Sequence, residues 1–246
     1  PSYQNTFRRL MLNQWTDSHS AWLTSGEWDA CYQDFDYSIL EGKECWGGLD
    51  LASTRDLTSF VLLFNVDGKF VCIPYIFIPE DNAKKRSERD SVDYVSWIRD
   101  EHIISTPGDV TDYSFIRQKI NELSKKYRIQ SICYDRWNAS QLVIDLQNDG
   151  ANLDPFGQGF VSMSMPTKTL EAEILAKNII HNNNPCMNWC LSNVALQEDP
   201  AGNIKIAKNK SKEKVDPVVS LVMALGCYLT TESGDSVYDT RGVLSF

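Results

Sequence analysis

From residue 45 onwards, short apolar runs alternate with amphipathic stretches. Cys45–Leu51 and Leu57–Val66 are apolar runs of strand length. Asp67-Gly68 then predicts a hairpin turn into a third strand, Lys69–Ile78. Pro74 inside that run has no N–H to give a ladder, so it predicts an edge position or a bulge. The charged stretch Lys84–Arg89 reads as an excursion, followed by a helix from Val92 to about Arg99. Phe115, Ile116, Ile120 and Leu123 recur at helical spacing and predict a helix over Asp112–Tyr127. The pattern then predicts a strand at Ile129–Tyr134, a helix at Ala139–Asn148, a strand at Phe160–Met165 and a helix at Leu170–Ile180. A short strand is expected at Asn203–Ala207. Val215, Val218, Val222, Leu225 and Leu229 form the apolar stripe of a last helix.

Three antiparallel strands followed by helix–strand alternation make an α/β fold with a mixed central sheet flanked by helices. In such sheets ligands sit beyond the carboxyl ends of the strands. Residues 1–44, rich in Trp, Tyr and Phe with a short helix expected at Phe7–Leu12, read as an arm wrapped on the domain or a linker from an upstream one. Residues 45–232 read as the domain itself, and 233–246, without periodicity, as a flexible tail.

Composition narrows the chemistry. The 246 residues, 42% hydrophobic, can bury a real core. A net charge of −9 argues against a protein that coats nucleic acid passively. It leaves room for an enzyme that holds nucleic acid through metals and a local basic strip. There is no apolar run long enough to span a bilayer, and no signal peptide, so no membrane partner is expected. The absence of an initiator Met suggests a start partway into a longer protein. Seven cysteines, most in apolar runs, fit buried free thiols in a reducing cytoplasm; Cys186 and Cys190 lack the second pair that a zinc site needs. His19, His102 and His181 share no motif and read as ordinary surface or core residues.

Three acids stand at element ends: Asp50 after Gly47-Gly48-Leu49, Asp135 after Ile132-Cys133-Tyr134, and Asp216 before Pro217. Each has a plain structural reading, as a turn residue, a helix cap, or an N-cap ahead of proline. Brought together by the fold, the three form an oxygen cage for hard divalent cations, which points to metal-assisted phosphodiester hydrolysis. Asp56, in the turn after Asp50, is an auxiliary ligand candidate. Lys205, Lys208, Lys210, Lys212 and Lys214 lead into Asp216; they read either as a solvated face or as phosphate contacts. No phosphate-binding P-loop motif occurs, so this segment is not itself an NTPase.

The stretch Gly48–Thr58, then Tyr134-Asp135-Arg136, then His181–Pro185 with Asn188–Asn193, then Lys208–Asp216, resembles the C-terminal nuclease domain of tailed-bacteriophage terminase large subunits. The leading Leu12–Thr16 and Trp28–Cys31 resemble that family's linker after its motor domain. The resemblance covers about residues 6–232 and implies a ribonuclease H-like fold. It implies two Mg²⁺ or Mn²⁺ ions held by Asp50, Asp135 and Asp216, and endonucleolytic cutting of concatemeric double-stranded DNA with low sequence specificity. It implies as partners the portal, the small terminase subunit and an ATPase domain missing from this segment, in the host cell cytoplasm. The fourth acid of cellular ribonucleases H has no equivalent after the third strand. A junction resolvase or transposase core on the same fold, or a non-catalytic docking domain of a packaging motor, are the alternatives.

Overall fold

A computed structural model describes residues 22–51, 57–136 and 141–233. In chain order these form α1 (Ser25–Asp29), β1 (Glu44–Asp50), β2 (Thr58–Val66), β3 (Lys69–Pro79), α2 (Ala83–Asp90), α3 (Tyr94–Arg99), β4 (Ile104–Thr106), α4 (Tyr113–Lys126) and β5 (Arg128–Asp135). There follow α5 (Gln141–Asn148), β6 (Leu153–Phe156), α6 (Phe160–Leu175), β7 (Ile179–His181), α7 (Pro185–Asn193), β8 (Leu196–Glu198), β9 (Ile204–Ile206) and α8 (Asp216–Ser233). Asp56, His19, the helix expected at Phe7–Leu12 and the tail from residue 234 lie outside the described residues.

The expected meander is present: β1, β2 and β3 pair antiparallel. The turn between β2 and β3 works because Asp67 and Gly68 both take positive φ, 51° and 83°. β5 and then β6 join β1 in parallel, giving the order β4-β3-β2-β1-β5-β6, with β7 also on β3. Pro74 finds its place through this topology. The outer edge of β3 pairs with β7 at Phe70–Cys72 and with β4 at Phe77–Pro79. Pro74 falls between the two, where its missing N–H costs no ladder bond.

Three expectations are corrected. Phe160–Met165 is not a strand but the first half of α6, which runs through Pro166; Met163, Thr167, Leu170 and Ile174 bury one helical face. The charged stretch at Lys84–Arg89 is a helix, α2, burying Ala83, Arg86 and Asp90 at spacings of three and four. The helix expected to reach Ile180 stops at Leu175. Lys177 turns left-handed (φ 58°) and the chain re-enters the sheet as β7.

The sheet is covered on both faces. One core joins Trp46, Val61, Cys72 and Cys133 to α6, α7 and α8. The other joins Leu49, Phe60, Leu62 and Ile132 to α4 and α5. Before β1, Trp22, Leu23, Trp28 and Cys31 belong to the first core and Leu40 to the second. Trp28 is buried, donates its indole N–H to Asn188 at 2.7 Å and stacks on His181 at 4.1 Å. His181 is a core residue, as expected. Its Nδ1 accepts from Asn183 N and its Nε2 faces the Trp28 carbonyl at 2.9 Å, and burial lowers its pKa. All seven cysteines are buried free thiols. Among the described residues no helix is long and apolar enough to cross a membrane.

Candidate active site

Alternation along β1 and β5 fixes where the acids point. Trp46 and Cys133 face the core under α8, whereas Leu49 and Ile132 face the other. Every second residue shares a face, so Asp50 and Asp135 point toward α8. The strands are parallel with Gly48 opposite Cys133 and Leu49 opposite Tyr134. The last residues of both strands, Asp50 and Asp135, therefore stand side by side at the carboxyl edge. Both are buried, at 1% and 9% exposure.

Asp216 arrives from the far end of the chain because α8 crosses β1 at a glycine. A Cβ on Gly48 would lie 1.9 Å from the Ser220 carbonyl oxygen and 2.7 Å from Ala224 N, so only a hydrogen fits. Ser220 also fastens the helix to β2: its Oγ lies 2.6 Å from Ser59 Oγ and donates to the Ser59 carbonyl at 3.1 Å. Ser59 is the residue paired with Asp50. One helical turn before Ser220 stands Asp216, which the crossing sets over the end of β1 at 4% exposure. The first i→i−4 bond of α8 runs from Val219 N to Val215 O. Asp216 thus stands just inside the first turn rather than at the N-cap, and Pro217 sits where no N–H is needed.

Two further side chains complete the group. Lys208 Nζ lies 2.6 Å from Asp50 Oδ2 and 3.4 Å from Asp216 Oδ1. Burial pulls the Lys208 pKa down, but the two carboxylates outweigh it and hold the ammonium above its ordinary range. Gln158, from the loop between β6 and α6, donates to the other oxygen of Asp50 at 3.1 Å. Sequence reasoning missed Gln158. The signal was available: a lone amide bracketed by Gly157 and Gly159, directly after the carboxyl end of a strand.

The lysines divide. Lys208 turns inward to the acids. Lys205 lies over the Phe160 ring at 5.0 Å. Lys210 and Lys212 are exposed and Lys214 is half-buried. Their loop is tied down: Ala195 N donates to Ser211 Oγ at 3.2 Å, and Lys212 N to the Asn193 carbonyl at 3.3 Å. Lys208, Asn209 and residues 211–216 line an open depression beside the acids.

Among the described residues no three His, Cys, Asp or Glu side chains are grouped to hold one metal ion. Asp50 and Asp216 meet instead at the Lys208 ammonium, with Asp135 on the neighbouring strand. The chemistry of the donors still fits Mg²⁺ or Mn²⁺, since all three are carboxylates and these ions prefer hard oxygen ligands.

The family model described as the terminase large subunit, endonuclease domain, matches residues 2–232. The large terminase subunit of Enterobacteria phage HK97 is 32% identical over 241 residues, covering 96% of this chain and 47% of that protein. The crystal structure of the HK97 large terminase matches with a TM-score of 0.77 at 32% identity, covering 92% of this chain and 47% of the other. The large terminase nuclease of thermophilic phage G20c shares the fold at 14% identity, with a TM-score of 0.53 over 82% of this chain and 97% of that one. A further structure of that nuclease holds bound magnesium. The chain spans about half the length of the curated relatives it matches.

Proposed function

The chain belongs to the family of terminase large subunit endonuclease domains, and we propose that it cuts concatemeric double-stranded DNA during viral genome packaging, using two Mg²⁺ or Mn²⁺ ions. The observation that carries this reading is the convergence of Asp50 and Asp216 on one cation, at the sheet edge where Asp135 also ends its strand. The magnesium held by the G20c nuclease supports the choice of metal. When bound, such ions activate water and stabilise the leaving 3′ oxygen.

The residues of the chain have separable tasks in this scheme. Asp50, central among the acids, would contribute its carboxylate to both ions. Asp135 and Asp216 would each hold one, and Asp56 would help to orient a ligand. Gln158 fixes the rotation of the Asp50 carboxylate. Lys210, Lys212 and Lys214, with Lys205 at the rim, position phosphates without reading bases, so sequence specificity is low. Residues 1–44 lead from an ATPase domain and 45–232 form the nuclease; portal and small terminase subunit are the partners in the host cytoplasm. Plasmid cleavage tests the reading. Mg²⁺ and Mn²⁺ are expected to support cutting of supercoiled and linear DNA, and EDTA and Ca²⁺ to stop it. Cutting that persists in EDTA would exclude the metal mechanism. No cutting with any of these ions would favour a docking role.

A further inference from the structure

We propose that Lys208 is the built-in counter-ion of the catalytic carboxylates, and that a divalent cation loads only by displacing it. This rests on the metal-dependent reading above. The Asp50 and Asp216 side chains are 1% and 6% exposed, and the Lys208 side chain is 39% exposed. Two carboxylates so close and so buried repel each other and lose hydration. The Lys208 ammonium, reaching in from the solvent side to both acids, offsets these effects.

A metal ion shared by the same two carboxylates needs that position. Mg²⁺ sits about 2.0–2.1 Å from its oxygens, and Lys208 Nζ is 2.6 Å from the Asp50 oxygen that would bind it. The two cations cannot share the point where the carboxylates face each other. Lys208 can leave by rotating its side chain alone. Its neighbour Ala207 donates N–H to the Ala195 carbonyl at 2.9 Å, and Lys210 N closes a turn on the Ala207 carbonyl at 2.9 Å. The backbone therefore stays fixed while the four-carbon stem swings out to solvent.

The consequence is competition inside one chain. If the ammonium fills the site most of the time, apparent metal affinity is lowered by the fraction of molecules in which the site is free. Lys208→Met keeps the stem and removes the charge. Calorimetric titration with Mn²⁺ is expected to show at least about tenfold tighter binding to this variant than to the parent. Its melting temperature in EDTA should fall, and its gain on adding Mn²⁺ should exceed the parent's. A second measurement needs no variant: acylation of lysines on the parent protein, read by mass spectrometry. Lys208 should be protected in EDTA and become reactive in saturating Mn²⁺, with Lys210 as an internal standard. Equal Mn²⁺ affinity in parent and variant, or Lys208 reactivity unchanged by Mn²⁺, would overturn displacement while leaving the metal-centred reading intact. If Mn²⁺ binds neither protein, and Asp50→Asn changes nothing in the titration, the metal-centred reading falls and this proposal with it.

Discussion

Asp50 receives a hydrogen bond on each oxygen, from Gln158 and from Lys208, and is almost wholly shielded from water. Such a carboxylate is held in one orientation before any ligand arrives, which is what a bridging role requires. Replacing it with an amide keeps the shape and removes the charge. Asp50→Asn is expected to cut DNA at under about a tenth of the parental rate, a barrier increase above ~1.4 kcal/mol. The fold should survive, because Lys208 keeps Asp216 as a partner. Parental melting with abolished cleavage is the expected pair of results. Retained cleavage would remove Asp50 from the mechanism. The acids themselves were legible in the sequence, since each follows an apolar run or opens one. The inward turn of Lys208 was not. A lysine run looks the same whether one member faces acids or all face water, and only the tertiary fold decides which.

At the scale of elements, the crossing of α8 over β1 matters most. Gly48 reads in the sequence as a place where something approaches closely, but that something is the backbone of a helix more than 170 residues later. Gly48→Ala forces a methyl against Ser220 O, where no side chain can yield. The expected loss of stability exceeds the roughly 1–3 kcal/mol usual for overpacking. Cleavage should fall further than stability explains, because Asp216 shifts relative to Asp50. Gly26→Ala in α1, which meets no atom within 4 Å, is the control and should be neutral in melting and cleavage. The meander was readable because Asp67-Gly68 announces its own turn geometry. The region from α6 to β7 was not, for local reasons. Phe160–Met165 carries apolar residues that suit either period, Pro166 reads as a breaker, and the real helix end is a lysine in left-handed conformation rather than a glycine. Each local signal pointed away from what burial of Met163, Leu170 and Ile174 enforces. The three- and four-residue strands β4, β6 and β7 lie at or near sheet edges and carry too few residues for a period to show.

For the whole chain, a net charge of −9 sets the terms on which the proposed DNA substrate would be met. Long-range repulsion opposes approach, so binding depends on cations concentrated at one place. Lys210 and Lys212 are exposed on the loop beside the acids. Lys210→Ala with Lys212→Ala is expected to weaken DNA binding and slow cleavage while metal titration stays parental. Removing one lysine that neutralises a phosphate should flatten the slope of log affinity against log salt by roughly 0.9. An unchanged slope would mean that these lysines are merely solvated. The sheet carries Asp50 and Asp135, but Asp216 and Lys208 come only after every strand has been made. On the ribosome, a chain that has reached β9 holds two of the three acids on a sheet whose covering helix has not yet emerged. On the proposed reading, cutting ability arises late in synthesis, with the docking of α8, and a nascent chain or one broken before Val215 is expected to leave DNA uncut.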